Sequence, residues 1–410
     1  MTETVETDLS AAPAWTAASP FTAVNGDDRH EVYAALLADG PVHQITTPTG
    51  VTAWLVTGHA EARALLSDPR LVKGGWQAAV YARELPEEVA RGIFTHMLSS
   101  DGADHVRLRK LVTAAFTRRR VEKLVPRIQR MTDELLDAVE GEETVDLISA
   151  LAFPLPIGVI CDLIGIPQES RADFRAWTAP LVAPGIFSFE EFAEAAAAML
   201  RFSRELIEEK RRSPLDDLLS DLIAVRDDGE GLTEDELTSM IFLLVVAGHE
   251  TTVNLIGNGV RALLANPGQL ALLRERPALL EPAIEELLRH DGPLQNTLPY
   301  RTTEPVEVGG VTIPEGVPVI VSLLAANRDP ALYAEGDTLD ITRAAPTHVA
   351  FGHGIHYCVG APLARVEARI AFATLLDRFP RMRLAVPDDS LTRAGSMIMN
   401  GLTALPVQLR

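Results

Sequence analysis

A long apolar segment in the second half of the chain limits the possible folds more than any other feature. Thr233 followed by Glu236 makes a capping-box pattern, apolar periodicity continues to about Ala265, and Asn266-Pro267 ends it. At 1.5 Å per residue, such a helix would be about 50 Å long. A helix that long and that apolar must run through the core, so the rest of the chain has to be built around it. Helical spacing dominates elsewhere, as in Leu108, Leu111, Val112, Ala115 and Phe116. Strand signals are confined to Val51–Val56 and to Val306–Val321, where Gly309-Gly310 suits a tight turn.

The expected fold is therefore mainly α, a single large helical unit over residues 21–410 with small β-sheets. The Ala-, Thr- and Ser-rich residues 1–20 read as a mobile tail. No linker composition divides the 410 residues, of which 47% are apolar and 23% charged. A formal charge of −20 argues against non-specific nucleic-acid binding. The two cysteines, Cys161 and Cys358, lie far apart, and no apolar core follows the acidic N-terminus, so a cytoplasmic protein is expected. The apolar stretch from Leu147 to Cys161 is shorter than the roughly 20 residues of a membrane span and contains Pro154 and Pro156, so it reads as buried core and no membrane association is expected.

Two segments carry chemistry. The first is Phe351-Gly-His-Gly-Ile-His-Tyr-Cys358-Val-Gly360-Ala-Pro362, a single cysteine in a glycine-punctuated loop before a predicted helix. Pro362 suits the first helical turn, and the positive end of the helix is expected to lower the thiol pKa. Gly354 and Gly360 permit unusual backbone angles or the close approach of a flat ligand. The second is Ala247-Gly248-His249-Glu250-Thr251-Thr252, in the middle of the long helix. Ala247 and Thr251 share one face, and a small residue one turn before a hydroxyl leaves room above a flat cofactor. A lone cysteine is more often an inert core residue, and a helical threonine often bonds only its own backbone. A zinc site from His348, His353, His356 and Cys358 is also conceivable by ligand type, although no tight spacing supports it.

Phe351, Gly354, Cys358 and Gly360 together resemble the haem-binding signature of the cytochrome P450 family, and the Ala247–Thr252 segment resembles its oxygen-activation motif. Similarity extends over about residues 25–410 and looks strongest to actinomycete macrolide and polyketide hydroxylases. It implies haem b (iron protoporphyrin IX) with Cys358 as the iron ligand, whose electron density favours splitting of the oxygen–oxygen bond. Glu250 and Thr251 would deliver protons. Ala247, Phe351, Gly352 and Gly360 would border the cofactor, and His105, Arg109, Arg301 and His356 would bind its propionates. Glu286 and Arg289 resemble the family's structural Glu-x-x-Arg pair. Where family members often carry a third arginine this chain has Asp337-Thr338-Leu339, which leaves Arg343 as a possible substitute.

By family topology, the substrate wall would include Met97, Leu98, Leu181, Val182, Leu243, Val246, Thr297, Pro299, Met397 and Ile398, with a helix-loop-helix lid between Trp177 and Met199. The implied reaction inserts one atom of dioxygen into a small apolar or amphipathic molecule such as a macrolide or polyketide. Electrons would come from a ferredoxin and its ferredoxin reductase, steered by the basic residues Arg107, Lys110, Arg118, Arg119, Arg120 and Lys123. A monomer is expected. A haem-thiolate peroxygenase or other non-hydroxylating enzyme, or a haem-binding sensor, would share the cysteine loop.

Overall fold

The computed structural model describes residues 21, 28–48, 50–74, 85–113, 116–168, 171–182, 187–225, 231–344 and 346–410. The expected tail over 1–20 lies outside them. The architecture is mainly helical. At its centre lies the helix Glu234–Ala265, opened by Thr233, whose hydroxyl accepts from the Glu236 N–H while the Glu236 carboxylate accepts from the Thr233 N–H. This central helix packs against Glu87–Phe94, Pro154–Ile164, Phe189–Arg212, Leu280–Asp291 and Ala361–Arg378. Its composition would suit a membrane span, but 72% of its most apolar window is buried in the protein, as a core helix requires.

The expected core stretch from Leu147 is buried as two abutting helices. A short π-helix, Ile148–Ala152, leads into Pro154–Ile164, with both prolines in the first turn, where a missing N–H costs no helical bond. The β-structure is peripheral. A five-stranded sheet joins Val42–Thr46, Thr52–Val56, Pro318–Val321, Tyr300–Thr302 and Leu71–Val72 in that order. Val306–Val308 and Val311–Ile313 form a separate hairpin across Gly309 and Gly310, at φ 56° and 81°.

Two ion-pair systems fix the segment that leads to the cysteine loop. Glu286 and Arg289 are fully buried on one helix, bonded twice at 2.8 Å. The other Arg289 donors reach the carbonyls of Asn327, Gly336 and Thr338, so all five of its N–H groups are used. Arg343 approaches the same Glu286 carboxylate at 3.2 Å and also donates to the carbonyls of Glu335 and Thr338. It thus occupies the role left open at Asp337-Thr338-Leu339. Next door, Glu285 binds Arg365 at 2.6 and 2.8 Å and His348 at 3.1 Å.

Candidate active site

Cys358 sits in a loop closed on itself. Its N–H donates to the Phe351 carbonyl at 2.9 Å, the Gly352 N–H to Val349 at 2.8 Å and the Tyr357 N–H to Gly354 at 3.1 Å. Gly352 and Gly354 adopt φ 73° and 70°, left-handed values that other residues avoid. A Cβ on Gly354 would collide with the Leu66 carbonyl. The Phe351 ring is held by the Arg365 guanidinium, 4.4 Å from its centroid, so the Glu285–Arg365 pair braces the loop from outside.

Cys358 is exposed and lines a large cavity. The helix Ala361–Arg378 begins just beyond it, with Pro362 in its first turn. The N–H groups of Gly360 and Ala361 and the charges of Arg109 and Arg365 favour the thiolate, yet burial dominates and pushes the thiol pKa up rather than down. This corrects the expectation from the helix terminus, because withdrawal from bulk water outweighs the partial charge at one helix end. A cation at the sulfur is what would hold it as thiolate.

One face of the central helix also lines the cavity. Ala247, although at the helix centre, is open to the cavity, which Leu243, Val246, Gly248, Thr251 and Thr252 also line. The close approach of Ile160 to Gly248 brings the neighbouring helix against this turn. Thr251 Oγ1 donates to the Ala247 carbonyl at 3.0 Å, so its proton is engaged within the helix while its oxygen can still accept a bond from the cavity side. Glu250 does not line the cavity. It is about one-quarter exposed, with its carboxylate 3.4 Å from His249 Nε2.

At one edge of the cavity are His105, Arg109 and His356. The His105 and His356 rings lie 4.5 Å apart, and Arg109 donates to the Tyr357 carbonyl. Both His105 nitrogens are buried with no hydrogen-bond partner among the described residues, and burial lowers its pKa to about 4. His356 Nε2 stands 3.8 Å from Asp101. Orphaned donors beside a guanidinium are what an anionic edge of a ligand would satisfy. Together with Cys358 and Ala247, which line the same cavity, they fit a flat, iron-bearing group with carboxylates on one side.

Most sequence-predicted wall residues meet here: Met97, Leu98, Leu181, Leu243, Val246, Thr297 and Ile398, with Phe351, Gly352 and Gly360 beneath. Three do not. From Leu298 to Arg301 side chains alternate, so Leu298 and Tyr300 face the cavity while Pro299 and Arg301 turn away, Arg301 into solvent. Met397 packs instead on the cluster around Phe21 and Tyr33. The Val182 side chain and residues 183–186 of the expected lid lie outside the described residues. The flanking helices Arg171–Val182 and Phe189–Arg212 pack together through Phe174, Trp177 and Phe202.

Sequence reasoning missed several cavity residues. Among them are Lys73 and Tyr300; His96, whose ring stacks on Phe242 at 6.5 Å; and Glu367, which is buried with its carboxyl pKa pushed well up. None sits in a recognisable local pattern. The zinc reading is not supported, since no group of three or more His, Cys, Asp or Glu side chains converges among the described residues.

This fold and cavity define a haem-thiolate enzyme, and comparison with known proteins agrees. Residues 186–399 match the family model described as Cytochrome P450. The chain is 50% identical to Cytochrome P450 107B1 of Saccharopolyspora erythraea over 387 residues, covering 93% of this chain and 95% of that one. It is 45% identical to Cytochrome P450 monooxygenase PikC of Streptomyces venezuelae, covering 93% and 91%. Among solved structures, the tirandamycin C-bound P450 monooxygenase TamI superposes with a TM-score of 0.88 at 46% identity, covering 93% of this chain and 98% of that one. The chain belongs to the cytochrome P450 family and is a haem-dependent monooxygenase acting on a small molecule with dioxygen and a redox partner.

Proposed function

We propose that this enzyme hydroxylates a macrolide or related polyketide, using haem b held by Cys358. The observation that carries this reading is the shared cavity, lined both by Cys358 and by Ala247 and Thr251 of the central helix. Bound haem iron would supply the reductive activation of dioxygen, placing one oxygen atom in the substrate and releasing the other as water. Thr251 would accept a hydrogen bond from a cavity water through its free lone pair and so place that water for proton delivery. Glu250, partly exposed and beside His249, would pass protons inward from solvent. His105, Arg109 and His356 would hold the propionates.

An apolar wall supports the substrate class. Phe94, Met97, Leu98, Leu181, Phe192, Leu243 and Val246 offer a large hydrophobic surface, with His96 and Thr297 among the polar groups that line the same cavity. Relatives named for macrolide-type substrates, such as 6-deoxyerythronolide B hydroxylase at 41% identity, support the same class. Electrons would come from a ferredoxin and its reductase. Of the six basic residues expected to steer it, Arg107 pairs with Glu236, Arg118 with Glu122 and Arg120 with Asp221. Lys110, Arg119 and Lys123 have no ion pair among the described residues and would be the steering charge, on segments flanking Phe116, which lies near Gly360 beside Cys358. The enzyme would work as a cytoplasmic monomer.

Titrating the purified holoenzyme with macrolactones and linear polyketides, followed by mass analysis after turnover, tests this reading. A spin-state shift and a product heavier by one oxygen are expected. Neither being seen across the polyketide panel, while another compound class gives both, would overturn the substrate assignment.

A further inference from the structure

His96 lines the cavity with one ring nitrogen that nothing described so far engages. It is only 4% exposed and forms the N-terminal cap of the short 3-10 helix Met97–Ser99. Its Nδ1 accepts from the Ser99 N–H at 3.2 Å, so the proton of the neutral imidazole sits on Nε2. Burial lowers the ring pKa to about 4, which keeps it neutral. No hydrogen bond from Nε2 is found among the described residues. A cap has thus turned this side chain into a buried donor of fixed tautomer that lacks an acceptor.

The surroundings of that donor indicate what would satisfy it. The His96 ring lies nearly parallel to the Phe242 ring, with centroids 6.5 Å apart, which sets it beside the central helix. Phe242 precedes Ala247 by five residues, about 7.5 Å along the helix axis, and the apolar side chains of Leu243 and Val246 line the interval. Thr297 is held in the same sense as His96, its Oγ1 accepting from the Val321 N–H at 3.1 Å, which leaves its O–H to donate. The described lining residues include one carboxyl group, Glu367, and burial favours its neutral acid, so none of them offers a countercharge to an amine. A neutral imidazole likewise offers none to a carboxylate. We propose that His96 is a specificity-determining residue whose Nε2–H donates to a neutral oxygen of the substrate, a ketone or lactone carbonyl, and so selects an uncharged oxygenated macrocycle. This inference deepens the polyketide reading above and rests on it.

The test is the dissociation constant, read from the haem spin-state shift of the holoenzyme, for cyclopentadecanone and cyclopentadecane, which differ by the carbonyl alone. Wild type is compared with His96→Phe, which keeps a ring against Phe242 but has no donor, and with His96→Gln, whose side-chain amide returns an N–H near the position of Nε2. His96→Phe should bind the ketone about tenfold more weakly and the hydrocarbon within about twofold of wild type, as loss of one buried hydrogen bond requires. His96→Gln should recover most of the ketone affinity. Wild-type affinity for the ketone should stay flat between about pH 6 and 8, where an unperturbed histidine would titrate. If His96→Phe holds no haem, His96→Leu makes the same comparison. Equal weakening of ketone and hydrocarbon, as the loss of a merely structural cap would give, would overturn the proposal. So would a wild type that binds the two alike or binds neither, or a variant that loses affinity only for pentadecanoic acid. Failure of the polyketide reading would show separately, as polyketides that give no product while the ketone preference and its dependence on His96 persist.

Discussion

Arg343 lies 3.2 Å from the carboxylate of Glu286, which is already bonded twice to Arg289. The two arginines differ in burial, Arg289 being fully enclosed and Arg343 about one-fifth exposed. Arg289→Ala should therefore cost about 3–5 kcal/mol, because a buried carboxylate loses both of its 2.8 Å bonds and keeps only the longer contact to Arg343 and the Asp340 N–H. Arg343→Ala should cost only about 1–2 kcal/mol. Urea unfolding of the holoenzyme measures both, and equal losses would mean that Arg343 shares the structural role fully.

The two left-handed glycines of the cysteine loop make a matched pair for a second prediction. Gly352→Ala meets only ordinary contact with the His356 carbonyl and should cost about 1–2 kcal/mol from backbone strain alone. Gly354→Ala adds a collision with the Leu66 carbonyl and should prevent stable haem incorporation. Haem content per purified chain distinguishes the two.

Thr251→Ala removes the one hydroxyl bonded to Ala247 at the cavity face. Product formed per electron pair consumed should fall about tenfold or more, with haem content unchanged. Undiminished coupling would remove Thr251 from the proton path.

The pairing of Glu285 with Arg365 and His348 holds its carboxyl pKa down at about 2, from an ordinary value of 4.5, against the opposing effect of burial. A depressed carboxyl pKa gives stability that is complete above about 4.5 and is lost as pH falls toward 2. Because this pair braces Phe351, acid should loosen the cysteine loop. Glu285→Gln should flatten that part of the stability curve and cost on the order of 1 kcal/mol at neutral pH. A wild-type slope in the variant would contradict this.

Much of this was legible in the sequence, for stated reasons. The central helix was announced by its cap and its stop, both local signals. Cys358 and the Ala247–Thr252 turn were legible because short motifs carry them. Propionate contacts were only partly so: His105, Arg109 and His356 came together, but whether Tyr300 or Arg301 faces inward depends on strand register, which a three-residue strand does not reveal. Lys73 and Glu285 act on residues 225 and 80 positions away, and nothing in their neighbours marks such partners. The direction of the Cys358 pKa shift depends on burial by the whole fold, which a helix-terminus argument omits.

The most direct test of the account is the absorption spectrum of the reduced protein under carbon monoxide, with Cys358→Ala in parallel. The account predicts a strongly red-shifted band in the wild type that is lost in the variant, as thiolate ligation requires. A histidine-type spectrum insensitive to the substitution, or no bound haem at all, would contradict it.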